Sequence, residues 1–279
     1  MNFWNTLPFH ISPWLIEMNG FGIRYYSLMY IFAFTTFYFL IKYRIKSEKL
    51  DFSLSLPDDF LLWVVAGTLL GGRLGYVLFY DLSYYLQQPL SIILPFSFSG
   101  GFRFTGISGM SYHGGLIGAT LVTIVYCKKN HINILQFTDI LSSVAPLGYT
   151  FGRLGNFFNG ELYGRATDMP WGMVFPADPA RILRHPSQLY EAFFEGIVLF
   201  VILWTIRKKQ WAQNKLFGFY LIGYGLVRFI IEFFRKPDEH LNFVISIFTM
   251  GQVLCFIMML AGLTIVFIVK LHEHFAPSR

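Results

Sequence analysis

Runs of about twenty apolar residues recur along this chain, separated by short basic connections, and no other feature limits its fold so severely. A helix rising 1.5 Å per residue crosses a hydrocarbon core of roughly 30 Å in such a length. In lipid, only helices and closed barrels satisfy their own backbone. The runs fall at about residues 21–43, 60–80, 112–126, 134–151, 186–206, 216–234 and 243–269. The expected fold is therefore an all-α integral membrane protein with seven transmembrane helices. Of 279 residues, 54% are hydrophobic and 14% charged, against a usual charged share of about 25%. No length remains for a large soluble domain, and residues 1–279 are expected to form a single polytopic membrane domain.

The segments between the runs supply orientation. Residues 1–20 alternate aromatic and polar positions around Pro8 and Pro13, as an interfacial arm does. They hold no Lys or Arg and no small-residue cleavage pattern, so no removable signal is expected there. Residues 81–111, rich in Tyr, Pro, Phe, Ser and Gly, form an outer loop or second arm, and residues 161–186 a small outer (periplasmic) cap. Lys42, Arg44, Lys46 and Lys49 follow the first run, Lys128 and Lys129 the third, Arg207, Lys208, Lys209 and Lys215 the fifth, and Lys270 and Arg279 the last. Basic connections stay in the cytoplasm, which puts the N-terminus out and the C-terminus in. The net charge of +6 thus sets orientation and implies no nucleic-acid partner.

Cys127 and Cys255 are too few for a disulfide framework or a cysteine metal site. His10, His131, His240, His272 and His274 are not spaced as ligands with a carboxylate, so neither metal nor cofactor is expected. The lack of an inverted repeat lowers the case for a secondary transporter.

Charges inside the apolar runs mark candidate sites, because each costs several kcal/mol unless paired or wet. Gly67, Gly71 and Gly75 recur every four residues and suit close helix packing. Arg73 lies among them, where structural pairing and lipid binding remain equally open. The densest polar stretch is GRLGNFFNGELYG at residues 152–164. Here Arg153 stands among Asn156, Asn159 and Glu161, and Gly155, Gly160 and Gly164 are expected to break the helix and admit a bound group. The alternative for Arg153 is snorkelling to the interface. Tyr224, Arg228, Glu232 and Arg235 share one helical face, either as a site or as a ladder in which Glu232 neutralises both arginines. Gln188, Glu191 and Glu195 form a similar stripe that suits charge compensation for Arg153, Arg228 or Arg73. His113 opens a run just before Gly114 and Gly115. It is the one candidate base that titrates near neutral pH without a large shift, although a histidine satisfied by a backbone carbonyl is an alternative. Outside the basic connections the cations are nearly all arginines, whose guanidinium holds oxyanions bidentately.

The 152–164 stretch resembles the signature of the bacterial prolipoprotein diacylglyceryl transferase family at Gly152, Arg153, Gly155, Asn156, Phe157, Asn159, Glu161 and Gly164. YHGGLIGA at 112–119, RHPSQLYE at 184–191 and YGLVRFIIEFFRKPD at 224–238 add to the resemblance, which covers most of the chain. It implies transfer of a diacylglyceryl group from phosphatidylglycerol to the lipobox cysteine of a prolipoprotein, forming a thioether and releasing glycerol phosphate. The expected setting is the inner membrane, with the site toward the outer leaflet. The partners implied are phosphatidylglycerol, lipobox peptides and membrane lipids. On this reading Arg153 and Arg228 meet the phosphate, and Asn156, Asn159, Glu161 and Gly164 shape that site. Tyr26 and Tyr224 bind the headgroup, His113 serves as base, and Arg73, Glu191, Glu232 and Arg235 stand behind them. A carrier or flippase whose arginines hold anionic headgroups in passage is the rival class.

Overall fold

The apolar runs become long helices, one of them with Pro146 in its interior, in a computed structural model that describes residues 2–18, 21–92, 96–97, 103–104, 109–236 and 248–275. Helix α1 (Phe3–His10) starts with a reciprocal Asn2–Asn5 capping box. An antiparallel hairpin follows, β1 (Trp14–Met18) against β2 (Phe21–Arg24), with the Arg24 guanidinium 4.4 Å from the Trp14 ring centre. Then come α2 (Tyr25–Ser47), α3 (Leu56–Tyr80), α4 (Leu82–Gln87), and the short pair β3 (Phe96–Ser97) and β4 (Arg103–Phe104). Helices α5 (Tyr112–Lys129) and α6 (Ile134–Phe158) occupy the third and fourth apolar runs. They are followed by α7 (Ser187–Ile206), α8 (Leu216–Ile231) and α9 (Met250–Phe275).

Four of these helices, α2, α3, α7 and α9, are long and apolar enough to cross a bilayer, and α8 is a shorter apolar helix. The chain is accordingly a mostly helical, multi-pass membrane protein. Helix α6 is less apolar because Gln136, Thr138, Asp139, Ser142, Ser143 and Arg153 punctuate it. The first run enters its helix at Tyr25 and not at residue 21, since residues 21–24 pair as a strand. Residues 243–247 of the seventh run, His240, Arg279 and much of the 81–111 loop lie outside the described residues.

Two compact units are present, Ile45–Phe137 and Met1–Arg44 together with Thr138–Arg279. In the first, α3 and α5 approach through glycines. A Cβ on Gly71 would lie 2.8 Å from Gly118 Cα, and one on Gly75 would lie 2.7 Å from Gly114 Cα. Backbone meets backbone there, so neither helix tolerates a side chain at those points. Arg73 leaves the same helix and donates from Nε to the Ile92 carbonyl (2.8 Å), from Nη1 to Gly109 (3.1 Å) and from Nη2 to Ser91 (2.5 Å). The guanidinium thereby ties the connection after α3 back onto the helix.

In the second unit, α8 and α9 also meet at small residues, a Cβ on Gly225 lying 3.0 Å from the Cys255 carbonyl. Arg44 donates to the Asp139 carbonyl (3.1 Å) and Ser143 Oγ (2.7 Å), while Asp139 Oδ1 accepts from the Phe217 amide (3.2 Å) at the start of α8. An acceptor at a helix start serves donors that have no partner within the helix.

Residues 164–186 of this unit fold back through backbone pairs. Gly164 donates to His185 (2.8 Å), and Met173 and Arg184 exchange bonds of 2.9 and 2.8 Å. Helix α1 docks here, as Asn5 Nδ2 donates to the Gly172 carbonyl (2.7 Å) and the Val174 amide to the Asn5 carbonyl (2.8 Å). Beneath lie Phe157, Met173 and Phe175, with Leu7, Ile11 and Tyr163 packed against them. Arg184 closes a fork on Asp178, Nε to Oδ2 at 2.8 Å and Nη2 to Oδ1 at 3.0 Å. That fork holds the Asp178 carboxyl below its ordinary range. Burial pushes the His185 imidazole down, which favours its neutral form.

Candidate active site

Helix α6 does not break at Gly155. It continues to Phe158, so Arg153 and Asn156 project from a regular helix. Gly155 instead gives room for α2, since a Cβ there would lie 3.0 Å from Tyr26 Cδ2. The break comes at Gly160, whose φ of +67° ends the helix. The Gly160 amide donates to Phe157 (2.9 Å) and the Glu161 amide to Asn156 (3.1 Å), the paired bonds of a left-handed glycine cap. This turn throws the Glu161 side chain back over the helix end. Its Oε1 accepts from Asn156 Nδ2 (2.9 Å) and Asn159 Nδ2 (3.2 Å), and Asn156 Oδ1 lies 3.4 Å from Arg153 Nη1. The Glu161 carbonyl accepts from Gln188 Nε2 at 2.6 Å, which joins the turn to α7.

Helix α7 winds as a π-helix over Glu191–Val198. Its i→i+5 bonding widens the turn, a geometry frequent at functional sites. Close approach to α6 is possible because position 196 is glycine, a Cβ there lying 3.1 Å from Thr150 Cα. Glu191 and Glu195 are both 0% exposed and face α6 and α8 from this segment.

Three arginines meet these carboxylates. Glu191 Oε2 lies 2.8 Å from Arg153 Nε and 2.9 Å from Arg228 Nη1, so one oxygen joins two guanidiniums. The Tyr149 hydroxyl lies 3.2 Å from the same oxygen, donates in a short bond to Glu195 Oε2, and sits 2.6 Å from Arg153 Nε. Arg228 Nη2 reaches Glu232 Oε2 at 3.2 Å, and Arg235 Nη1 lies 3.8 Å from that atom. The other oxygen of Glu232, Oε1, accepts from Thr249 Oγ1 (3.2 Å) at the entrance of α9. Arg153, Arg228 and Arg235 thus face Glu191, Glu195 and Glu232. The opposed charges meet the desolvation cost of several kcal/mol that each ion would otherwise carry.

The sequence-derived residues divide between the two units. Tyr26, Arg153, Asn156, Asn159, Glu161, Gly164, Glu191, Tyr224, Arg228, Glu232 and Arg235 belong to the unit of Met1–Arg44 and Thr138–Arg279. Tyr224 stands edge-on to Tyr149 with ring centres 5.6 Å apart. Tyr26 pairs its hydroxyl with Tyr30 at 3.1 Å. Gly164 lies where a Cβ would meet the His185 carbonyl at 2.9 Å. His113 and Arg73 belong to the unit of Ile45–Phe137. His113 is exposed in the first turn of α5, a turn whose Gly114 amide donates to Ser111 Oγ at 3.2 Å. Sequence reasoning passed over Tyr149, although it precedes Arg153 by one helical turn.

Comparison with known proteins gives the family. The family described as prolipoprotein diacylglyceryl transferase matches residues 13–268. The chain belongs to that family. It is 54% identical to the phosphatidylglycerol–prolipoprotein diacylglyceryl transferase of Chlorobaculum tepidum, over 94% of this chain and 91% of the relative. It is 42% identical to the protein so named in Geobacter sulfurreducens, over 94% and 96%, and 40% identical to that of Campylobacter lari, over 97% and 98%. The matched region contains the whole arginine–carboxylate cluster as well as His113.

Proposed function

We propose that this chain transfers the diacylglyceryl group of phosphatidylglycerol to the lipobox cysteine of prolipoproteins, the first step of bacterial lipoprotein maturation. The relatives bear the name of that activity. The observation that carries the site assignment is the state of Arg153. Its Nε is held by Tyr149 and Glu191, and its Nη1 faces Asn156 at 3.4 Å, while its Nη2 donates to no residue among those described. A guanidinium fixed on one edge and open on the other suits an oxyanion.

In the reaction a C–S bond forms at the glyceryl carbon as its C–O bond to phosphate breaks. Glycerol phosphate leaves with the bonding pair, and the thiol proton passes to a base. Arg153 and Arg228 meet the charge growing on the phosphate, where preorganised donors act most strongly. Asn156, Asn159, Glu161 and Gly164 shape the floor, and Tyr26 and Tyr224 contact the headgroup. His113 takes the proton from the thiol, which must become thiolate to attack. Glu191, Glu232 and Arg235 hold the arginines, and Arg73 supports the outer connection. A membrane cavity keeps water from the reacting carbon.

The same proposal includes seven crossings of the inner membrane with the N-terminus out and the C-terminus in. Residues 1–20 and 81–111 are then arms at the membrane surface, residues 161–186 a periplasmic cap, and the site opens toward the outer leaflet. Arg153→Ala should abolish transfer from phosphatidylglycerol to a lipobox peptide at near-normal protein yield, a loss of at least about a hundredfold. Wild-type turnover in that variant would refute the assignment, and an unchanged pH profile in His113→Gln would remove His113 from the base role.

A further inference from the structure

Tyr149 lies outside the signature stretch, yet its phenol reaches Arg153, Glu191 and Glu195 at once. The oxygen stands 2.6 Å from Arg153 Nε, and the hydroxyl proton goes to Glu195 Oε2 in a short bond, with Glu191 Oε2 at 3.2 Å. Glu195 is 0% exposed, its Oε1 has no hydrogen-bond partner among the described residues, and Arg228 Nη1 lies 3.8 Å from that atom. Two routes therefore join the arginines. One is direct, through Glu191 Oε2, and the other runs from Arg153 through Tyr149 and Glu195 to Arg228.

A guanidinium held through one acceptor at Nε can still swing about its final bonds. The hydrogen bond that Nε–H donates to the Tyr149 hydroxyl, beside the ion pair with Glu191, removes that freedom and fixes the direction of the Nη edge. Without the hydroxyl, Arg153 keeps the Glu191 ion pair and the longer Asn156 contact, and Glu195 loses its only hydrogen-bond donor among the described residues. We propose that Tyr149 is a positioning residue for the transfer: tied to Glu195, it locks Arg153 so that the Nη edge faces the departing phosphate. This rests on the reading that Arg153 meets that phosphate.

The test uses the purified full-length protein in lipid, a lipobox peptide, and two donors, phosphatidylglycerol and its analogue with sulfur for one non-bridging phosphate oxygen, each diastereomer separately. A positioned guanidinium discriminates oxygen from sulfur at the atom it binds, so the wild type should turn over the two donors at different rates. Tyr149→Phe should lower kcat for phosphatidylglycerol about tenfold, the factor that a single charged hydrogen bond commonly controls, and lower the sulfur donor much less. The oxygen-to-sulfur ratio then falls toward one. A merely structural role slows both donors equally and keeps the ratio, and that result overturns the proposal. Glu195→Gln disturbs the same phenol from its other side and should reduce the ratio too, so an unchanged ratio in either folded variant has the same force. Arg153→Lys separates the two layers: a wild-type ratio there, or no discrimination by the wild type itself, refutes the phosphate reading on its own.

Discussion

Glu191→Gln is the most incisive substitution in the cluster, because it keeps shape and removes one charge. The wild-type Oε2 stands within 2.8 Å of Arg153 Nε and 2.9 Å of Arg228 Nη1, at a residue with no exposure. The amide still offers one acceptor oxygen, but three arginines are then left against two carboxylates. Removing one partner of a buried pair costs about 3–5 kcal/mol, since the other ion stays behind uncompensated. The hydrogen bonds that Oε2 accepts from Arg228 Nη1 and from the Tyr149 hydroxyl, at roughly 1.5–3 kcal/mol each, give a similar figure. The variant should therefore lose about 3 kcal/mol or more of unfolding free energy in denaturant titrations in mixed micelles. Transfer should fall about a hundredfold or more in peptide-alkylation assays, as both arginines shift at once. The decisive comparison is with Glu191→Gln paired with Arg228→Met, where the excess charge is gone. That double variant should recover much of the stability and none of the activity. A single variant as stable as the wild type would refute the claim that Glu191 is the shared counter-ion.

Two further outcomes follow from packing and from pH. Gly114→Ala should cost about 1–3 kcal/mol in the same titration, because its Cβ would lie 2.9 Å from Gly75 Cα, whereas Gly152→Ala should cost nothing, with no atom within 4 Å of its Cβ; equal losses would contradict the packing of α3 on α5. Asp178→Asn should weaken the fold around residues 164–186 by roughly 2 kcal/mol, read as faster hydrogen exchange in those peptides. The Asp178 carboxyl is lowered by the Arg184 fork, so its stabilisation is complete above the unfolded value of about 3.9 and lost as pH falls through the lower folded value. Exchange there should stay slow down to about pH 4 and rise below it, and a rise already complete near pH 6 would contradict the assignment.

Several residues announced themselves in the sequence because a charge in an apolar run has few innocent explanations. Arg153, Arg228 and Glu191 were legible for that reason, as were Gly71 and Gly75 from their repeat. Tyr149 was not, since a tyrosine in a membrane helix is ordinary until its hydroxyl is seen beside Arg153 Nε and Glu195. The glycines of the 152–164 stretch looked alike, yet they serve differently. Gly155 admits α2, Gly160 ends α6 through its positive φ, and Gly164 lies against the backbone before α7. Identity alone does not reveal which of these a glycine does, because the difference lies in the neighbour and not in the residue.

That the chain is helical and membrane-embedded, and which of its charges need an explanation, could be read from the residues alone. Length, apolarity and the cost of an unpaired ion in lipid are properties of short segments. How those charges are shared came from the folded chain and from nothing else. Arg153 on α6, Arg228 on α8 and Glu191 on α7 lie far apart along the chain, and their meeting depends on the widened turn of α7 and on the space left at Gly196. Pairing between distant helices is fixed by backbone approach, and no local pattern of residues encodes that.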